Sequence, residues 1–168
     1  LESELGFVAE KLKDLLQAAG GIMEKIEAGQ SARELRAPTD EGLGNAFMRT
    51  LVQRTIARTA GVCLKQNRVA SWDDFISHIK AFDWRLKGPL WKDVICRYDS
   101  DGKKIKMLTS REHVDLLQEL IIARIAPFTK AEIARVRKAF KDLNNKPLPF
   151  STEELEANLP PAGSTADH

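Results

Sequence analysis

The sequence predicts a mainly α-helical domain with a small two-stranded hairpin insert. Apolar residues recur at spacings of three and four along most of the chain, which is the spacing of one helix face. One section between Gly88 and Thr109 lacks that spacing and contains a turn signal. Of the 168 residues, 43% are hydrophobic and 30% are charged, which is enough apolar material for one core.

Residues 1–29 are predicted to form an N-terminal amphipathic helical segment. Their apolar spacing predicts a first helix over about Ser3–Ala18, which Gly20-Gly21 ends because paired glycines destabilise a helix. A second, shorter helix follows. Because the helical pattern begins at once and without a start signal, we expect the chain to be a fragment with a further domain upstream. Residues 30–44, with one proline and two glycines, are predicted to be a linker.

Residues 45–146 are predicted to form the helical core domain. An apolar face predicts a helix over about Asn45–Gln66, and Ser71 is an N-cap signal for a helix over Trp72–Phe82. Two short apolar runs flank the turn signal Asp-Ser-Asp-Gly, which predicts a hairpin near residues 94–108.

Two capping boxes and a proline-rich end complete the predicted order of elements. Thr109 with Glu112 and Thr129 with Glu132 each match the pattern in which two side chains satisfy the first helical N–H groups. We therefore expect two further helices, the second ending at an Asn-Asn pair. Residues 147–168 contain four prolines and no base, and are predicted to be a mostly disordered tail.

Charge is distributed unevenly, although the net charge of the whole chain is only +2. Residues 1–44 carry nine acids and five bases, residues 45–148 carry 21 bases and 11 acids, and residues 149–168 carry four acids and no base. The middle segment therefore has a net charge of +10. This asymmetry favours a polyanionic partner, and DNA is the partner we expect. The alternative is that these lysines and arginines only solvate the helices.

The basic residues that we expect to contact phosphates fall into two groups. Contact with the DNA backbone requires several such side chains on one face, because each contact is weak and sensitive to salt. Trp84 and Trp91 lie among lysines and arginines in the sequence. Aromatic rings can stack on the exposed nucleobases of a single strand, but we predict that both tryptophans belong to the core. The predicted phosphate contacts are Arg54, Arg58, Lys65 and Arg68 in the first core helix, and Lys103, Lys104 and Lys106 beside the hairpin turn.

No combination of residues in the sequence specifies a catalytic or metal site. The three histidines and two cysteines have no ligand spacing such as C-x-x-C or H-x-x-x-H, and no glycine loop of the phosphate-binding type is present. Acids at Asp73-Asp74 are explained by the favourable position of negative charge in a first helical turn. We therefore expect no metal, no cofactor and no catalytic residue in this chain.

A series of short motifs resembles one known family over about residues 43–145. An aspartate–tryptophan pair, a short gap and a second tryptophan precede a hairpin and a closing helix. The matching segments are Trp72–Phe82, Asp83-Trp84, Pro89–Ile95, Gly102–Met107 and Leu116–Ile125. This order resembles the C-terminal helical part of DGQHR-domain proteins, a family that includes the DndB-like DNA sulfur-modification proteins. The namesake motif is absent here, as follows if the N-terminal domain is not part of the chain.

The resemblance implies a role in binding and regulation around a DNA phosphorothioation or related bacterial defence system. It further implies a bacterial, cytoplasmic protein, and it transfers no catalytic residue to this chain. No stretch approaches the roughly 18 uncharged apolar residues that a membrane helix needs, and the acidic start is unlike a signal peptide.

Two other functions stay open from the sequence. The first is a protein-interaction or oligomerisation module, in which residues 1–28 dock on a partner or on a second copy. The second is a domain of a hydrolase or nuclease whose catalytic residues lie outside this chain.

Overall fold

The computed structural model describes residues 2–36, 44–101, 105–126, 128–151 and 155. This part of the chain is mainly helical and carries one two-stranded antiparallel hairpin, which confirms the predicted fold class. No described helix is both long enough and apolar enough to cross a membrane. The elements are α1 Glu2–Ala18, α2 Ile22–Glu27, α3 Ala32–Arg36, a 3-10 turn Ala46–Met48, α4 Thr50–Lys65, α5 Trp72–Lys80, β1 Cys96–Tyr98, β2 Ile105–Met107, α6 Arg111–Ile125 and α7 Lys130–Asn144.

The N-terminal helices pack on the rest of the molecule. Gly20 and Gly21 turn the chain between α1 and α2 with φ angles of 74° and 66°, which favour glycine over residues with a side chain. Helix α1 packs on α5, where the indole Nε1 of Trp72 donates a hydrogen bond of 2.8 Å to Asp14 Oδ2. Leu15 is buried in the same core cluster as the later helices. The first two helices therefore share a core with residues 45–146.

A short helix, α3, lies within the segment that was predicted to be a linker. Its Leu35 is buried, and its carbonyl oxygen accepts a hydrogen bond of 3.0 Å from the Asn45 amide. At Gly44 an added Cβ would lie 2.8 Å from the Arg36 carbonyl oxygen, so a larger residue would require the backbone to shift. Residues 37–43 of the predicted linker lie outside the described residues.

The predicted helix 45–66 is divided in two. Asn45 caps the 3-10 turn, because its side-chain Oδ1 accepts a hydrogen bond of 2.8 Å from the Phe47 backbone N–H. Its side-chain Nδ2 donates another of 2.8 Å to the Ala19 carbonyl. Arg49 then adopts an extended conformation, with φ −99° and ψ 122°, before α4 begins. Helix α4 buries Val52 and Ile56, as its apolar spacing predicts.

The segment between α5 and the hairpin is built around two tryptophans. The rings of Trp84 and Trp91 stack with centroids 5.3 Å apart, and both are buried. Their indole nitrogens donate to the carbonyl oxygens of Ile79 and Asp83, at 3.2 and 2.5 Å respectively. The prediction that both tryptophans are core residues is confirmed.

The hairpin pairs Cys96 with Met107, Arg97 with Lys106 and Tyr98 with Ile105. Its position agrees with the predicted hairpin near 94–108. Each strand has three residues, and Cys96 on the inner face is fully buried.

The two C-terminal helices begin differently. Thr129 and Glu132 form the predicted capping box before α7, with both reciprocal hydrogen bonds present. The N-cap of α6 is instead Ser110, which makes no side-chain capping bond, so the predicted box at Thr109 is wrong. The segment after α7 packs on the core through Phe150 and Leu155, which are 6% and 0% exposed. Residues 152–154 and 156–168 of the predicted tail lie outside the described residues.

Candidate nucleic-acid interface

One side of α4 carries a row of exposed basic residues, which we call the basic face: Arg54, Arg58 and Lys65. They lie four and seven residues apart, so all three fall on one side of a helix, since eleven residues make about three turns. All three are exposed, as are the small residues Ala57 and Gly61 between them. A Cβ added at Gly61 would meet no atom within 4 Å, so the space above the helix is open there. The structure therefore brings three of the predicted phosphate contacts together.

Two of these basic residues have no ion-pair partner in the part of the chain that the structure describes. Among the described residues, no salt bridge joins Arg54 or Lys65 to an acid, whereas Arg58 approaches Asp115 of α6 at 3.7 Å. That pair is exposed on both sides, with 62% of the arginine side chain and 48% of the aspartate side chain accessible. Exposed ion pairs of this kind contribute little to stability. The basic face is therefore largely unneutralised.

Beside the basic face lies a groove between α4, α6 and α7 with a volume of about 390 Å³. Four arginines and three carboxylates line it, with two glutamine amides between them. Val62, Ile122 and Phe128 supply its apolar part. The polar lining residues are Arg58, Arg68, Arg111, Arg135, Asp115, Glu119, Glu132, Gln66 and Gln118.

Arg68, a predicted phosphate contact, is held inside this groove rather than on the basic face. Its Nη2 donates a hydrogen bond of 2.9 Å to Glu132 Oε1, and its guanidinium lies 5.8 Å from the centroid of the Phe128 ring. The two charged side chains are only 26% and 18% exposed. Burial acts to raise the pKa of Glu132, but hydrogen bonds from Thr129 and Arg68 outweigh it and hold that pKa below its usual value. Arg68 is therefore engaged within the protein.

The two remaining arginines of the groove were not predicted as contacts. Arg111 approaches Asp115 at 3.6 Å and is 91% exposed, while Arg135 contacts Glu119 at 3.0 Å. Arg111 reaches the groove because α6 packs against α4, and Arg135 contacts Glu119 because α7 packs against α6. The one local signal is that Arg111 precedes Asp115 by four residues, which places them together on a helix.

A second groove adjoins the first at Arg58. Its volume is about 490 Å³, and it is lined by Leu51, Arg54, Thr55, Ala57, Arg58 and Val114. The basic face thus borders two surface depressions that share one arginine.

The hairpin group of predicted contacts is located elsewhere. Lys106 is exposed on β2 opposite Arg97, whose guanidinium donates a hydrogen bond of 2.9 Å to Asn144 at the end of α7. No described contact joins Lys106 to the basic face. Lys103 and Lys104 lie outside the described residues.

The described residues contain no group of three or more His, Cys, Asp or Glu side chains close enough to hold a metal ion. Cys63 and Cys96 are both fully buried. Burial, and secondarily the charge of Asp93, raise the pKa of the Cys96 thiol to about 12. Such a thiol is protonated at neutral pH and is a poor nucleophile.

Comparison with known proteins identifies no relative of this chain. No family model matches the sequence, and neither the curated proteins nor the solved structures include a significant match. The resemblance to the DGQHR-domain family therefore stays a prediction.

Proposed function

We propose that this chain binds the phosphate backbone of duplex DNA through the basic face of α4. It would act as a non-catalytic module of a DNA-associated regulator or DNA-modification protein in the bacterial cytoplasm, as the family resemblance implies. The observation that carries the proposal is the exposure of Arg54, Arg58 and Lys65 on one side of one helix. Several bases on one side are what backbone binding needs, because each contact is weak by itself.

The composition of the basic face favours backbone contact over sequence readout. Base recognition relies on side-chain amides and on arginines that enter a groove of the DNA. Only Ala57 and Gly61 lie exposed between the three basic residues, and neither has a side-chain hydrogen-bond donor or acceptor. Their small size lets a phosphate backbone come close to the helix.

The distribution of aromatic residues favours duplex over single-stranded DNA. Single-strand binding relies on aromatic rings that stack on exposed bases. Wherever the structure describes an aromatic side chain, it is buried or half-buried, including Trp84, Trp91 and Phe128. A duplex needs no stacking surface, and it presents a higher charge density to the basic face.

The test is a fluorescence-anisotropy titration of a random duplex and of a single strand at several salt concentrations. We expect tighter binding to the duplex, and a slope of log affinity against log salt of about −3, because each neutralised phosphate contributes about −0.9. The triple variant R54A/R58A/K65A should weaken duplex binding at least about 10-fold and flatten most of this slope.

A control variant separates the basic face from net charge alone. K13A/K25A/R33A removes three exposed bases from α1, α2 and α3 and so changes the charge by the same amount. This control should bind nearly as the wild type does. An equal loss of affinity for the duplex in both triple variants, or no binding of the wild type at low salt, would reject the proposal.

A second candidate function, protein interaction through residues 1–28, is favoured by one observation. Leu12 and Ile26 are 48% and 43% exposed, which is unusual for large apolar side chains elsewhere in the described structure. Both lie in the N-terminal helices, where the sequence predicts a docking segment. Exposed apolar side chains are typical of interaction surfaces, although single ones are common.

Light scattering of the purified chain tests this second candidate. If the N-terminal helices mediate self-association, L12S/I26S should shift an oligomer to monomers while leaving the circular dichroism spectrum unchanged. Substitution is preferable to deleting residues 1–30, because Leu15 and Trp72 pack there and deletion would open the core. A monomeric wild type, or an oligomer that persists in the variant, would exclude this form of interaction.

A further inference from the structure

Two arginines from different helices approach a single carboxylate beside the basic face. Arg58 Nη1 of α4 lies 3.7 Å from Asp115 Oδ1, and Arg111 Nε of α6 lies 3.6 Å from Asp115 Oδ2. Each guanidinium therefore faces its own oxygen of the same carboxylate. This is an arrangement in which two cations surround the position of one small anion.

The other two carboxylates of the groove are bound more closely. Glu132 accepts a hydrogen bond from Arg68 at 2.9 Å, and Glu119 contacts Arg135 at 3.0 Å. Both distances of Asp115 exceed normal hydrogen-bond length. The Asp115 side chain is also 48% exposed, compared with 30% for Glu119 and 18% for Glu132. Asp115 is thus the carboxylate of this groove that its arginines hold least tightly.

We infer that Arg58 and Arg111 form a phosphate subsite, and that Asp115 competes with the phosphate for these two arginines. A DNA phosphodiester resembles the carboxylate in carrying one negative charge and two free oxygens, one for each guanidinium. Arginine–phosphate pairs are strong because the hydrogen bonds are charge-assisted and directional. The inference rests on the proposed function and extends its interface from α4 to Arg111 of α6.

The subsite predicts that Asp115 lowers the affinity of the protein for DNA. A phosphate entering between Arg58 and Arg111 must lie close to Asp115. The carboxylate therefore repels the phosphate and neutralises part of the positive charge of the two arginines. Removing the charge of Asp115 frees both guanidiniums. Because Arg58 also belongs to the basic face, the subsite is continuous with the row formed by Arg54 and Lys65.

The experiment compares D115N with the wild type in the same duplex-binding titration. We expect D115N to increase the affinity for the duplex about 3- to 10-fold at low salt, the range expected when two exposed ion pairs no longer compete. The R111A variant should weaken binding and reduce the salt slope by about 1, as loss of one phosphate contact does. In an R58A/R111A background, D115N should change the affinity much less, because the arginines that it releases are absent.

E27Q is the control for net charge, because Glu27 is an exposed acid of α2 whose removal changes the charge by the same amount. If E27Q raises the affinity as much as D115N does, or if D115N has no effect on a wild type that binds, the subsite is overturned while the basic face stands. If the wild type does not bind the duplex at all, the proposed function itself has failed. Circular dichroism of each variant tests whether the fold is retained.

Discussion

Glu132 has two structural roles. It completes the capping box of α7, where its carboxylate accepts hydrogen bonds of 2.8 and 2.9 Å from the amide and hydroxyl of Thr129. The same carboxylate holds Arg68, which lies 64 residues earlier in the chain. One side chain therefore starts a helix and ties that helix to the end of α4. The net effect of its contacts is a pKa below the ordinary value of 4.5.

The lowered pKa of Glu132 predicts how its contribution to stability depends on pH. A carboxylate whose pKa is lower in the folded state stabilises the protein above the unfolded pKa, and this stabilisation is lost as the pH falls through the folded pKa. We expect E132Q to reduce the free energy of unfolding by about 1–2 kcal/mol at pH 7, the range for charge-assisted hydrogen bonds. Below about pH 4 the difference from the wild type should shrink. Urea denaturation of the wild type and the variant, at pH 7 and below about pH 4, measures the difference in their free energies of unfolding.

E112Q is the matched control for this prediction. Glu112 also lies in a first helical turn, and a hydrogen bond from the Ser110 side chain is the main cause of its lowered pKa. No arginine from another helix contacts it in the described structure. E112Q should therefore be the milder change, and an equal loss of stability in the two variants would show that the pairing of Arg68 with Glu132 adds nothing.

Helices and turns with a local cause could be predicted from the sequence. The Gly20-Gly21 turn depends on two glycines with positive φ, and the start of α7 depends on a capping box four residues long. In each case the determining atoms lie within a few residues, so the sequence is sufficient.

The elements that the sequence did not predict are determined by contacts between distant residues. The break at Arg49 accompanies pairing of residues 44–46 with residues 84–86. The Ala46 amide donates a hydrogen bond of 2.7 Å to the Trp84 carbonyl, and the Leu86 amide donates one of 2.9 Å to the Gly44 carbonyl. Helix α3 is held by a hydrogen bond from Asn45 and by burial of Leu35. Helical periodicity contains no information about such contacts.

The same division applies to the candidate interface. Arg54, Arg58 and Lys65 share a face because of their spacing on one helix, which the sequence shows. That Arg111 faces Arg58 across Asp115, and that Arg68 is bound by Glu132, depends on how α6 and α7 pack against α4. The groove between these three helices could therefore not be predicted from the sequence.

One cluster of buried residues extends from Leu15 in α1 to Leu155 beyond α7. Cys63 of α4 and Cys96 of β1 are both fully buried in it. Burial is also the main reason why the pKa of each thiol is raised, to about 12 for Cys96. The two thiols lie in different elements of a common core, so they report on whether that core opens as a unit.

We therefore expect both cysteines to resist alkylation in the native protein and to react together when it unfolds. Neither thiolate forms readily while buried, and in the unfolded chain both recover ordinary reactivity. Labelling with iodoacetamide at pH 8 over a series of urea concentrations, with mass spectrometry of the two peptides, gives a rate for each thiol. Rates that rise in parallel indicate one cooperative opening, because both sites then report the same unfolding free energy. If Cys96 reacts at lower urea than Cys63, the hairpin and tryptophan segment open separately from α4, and the core consists of at least two units of different stability.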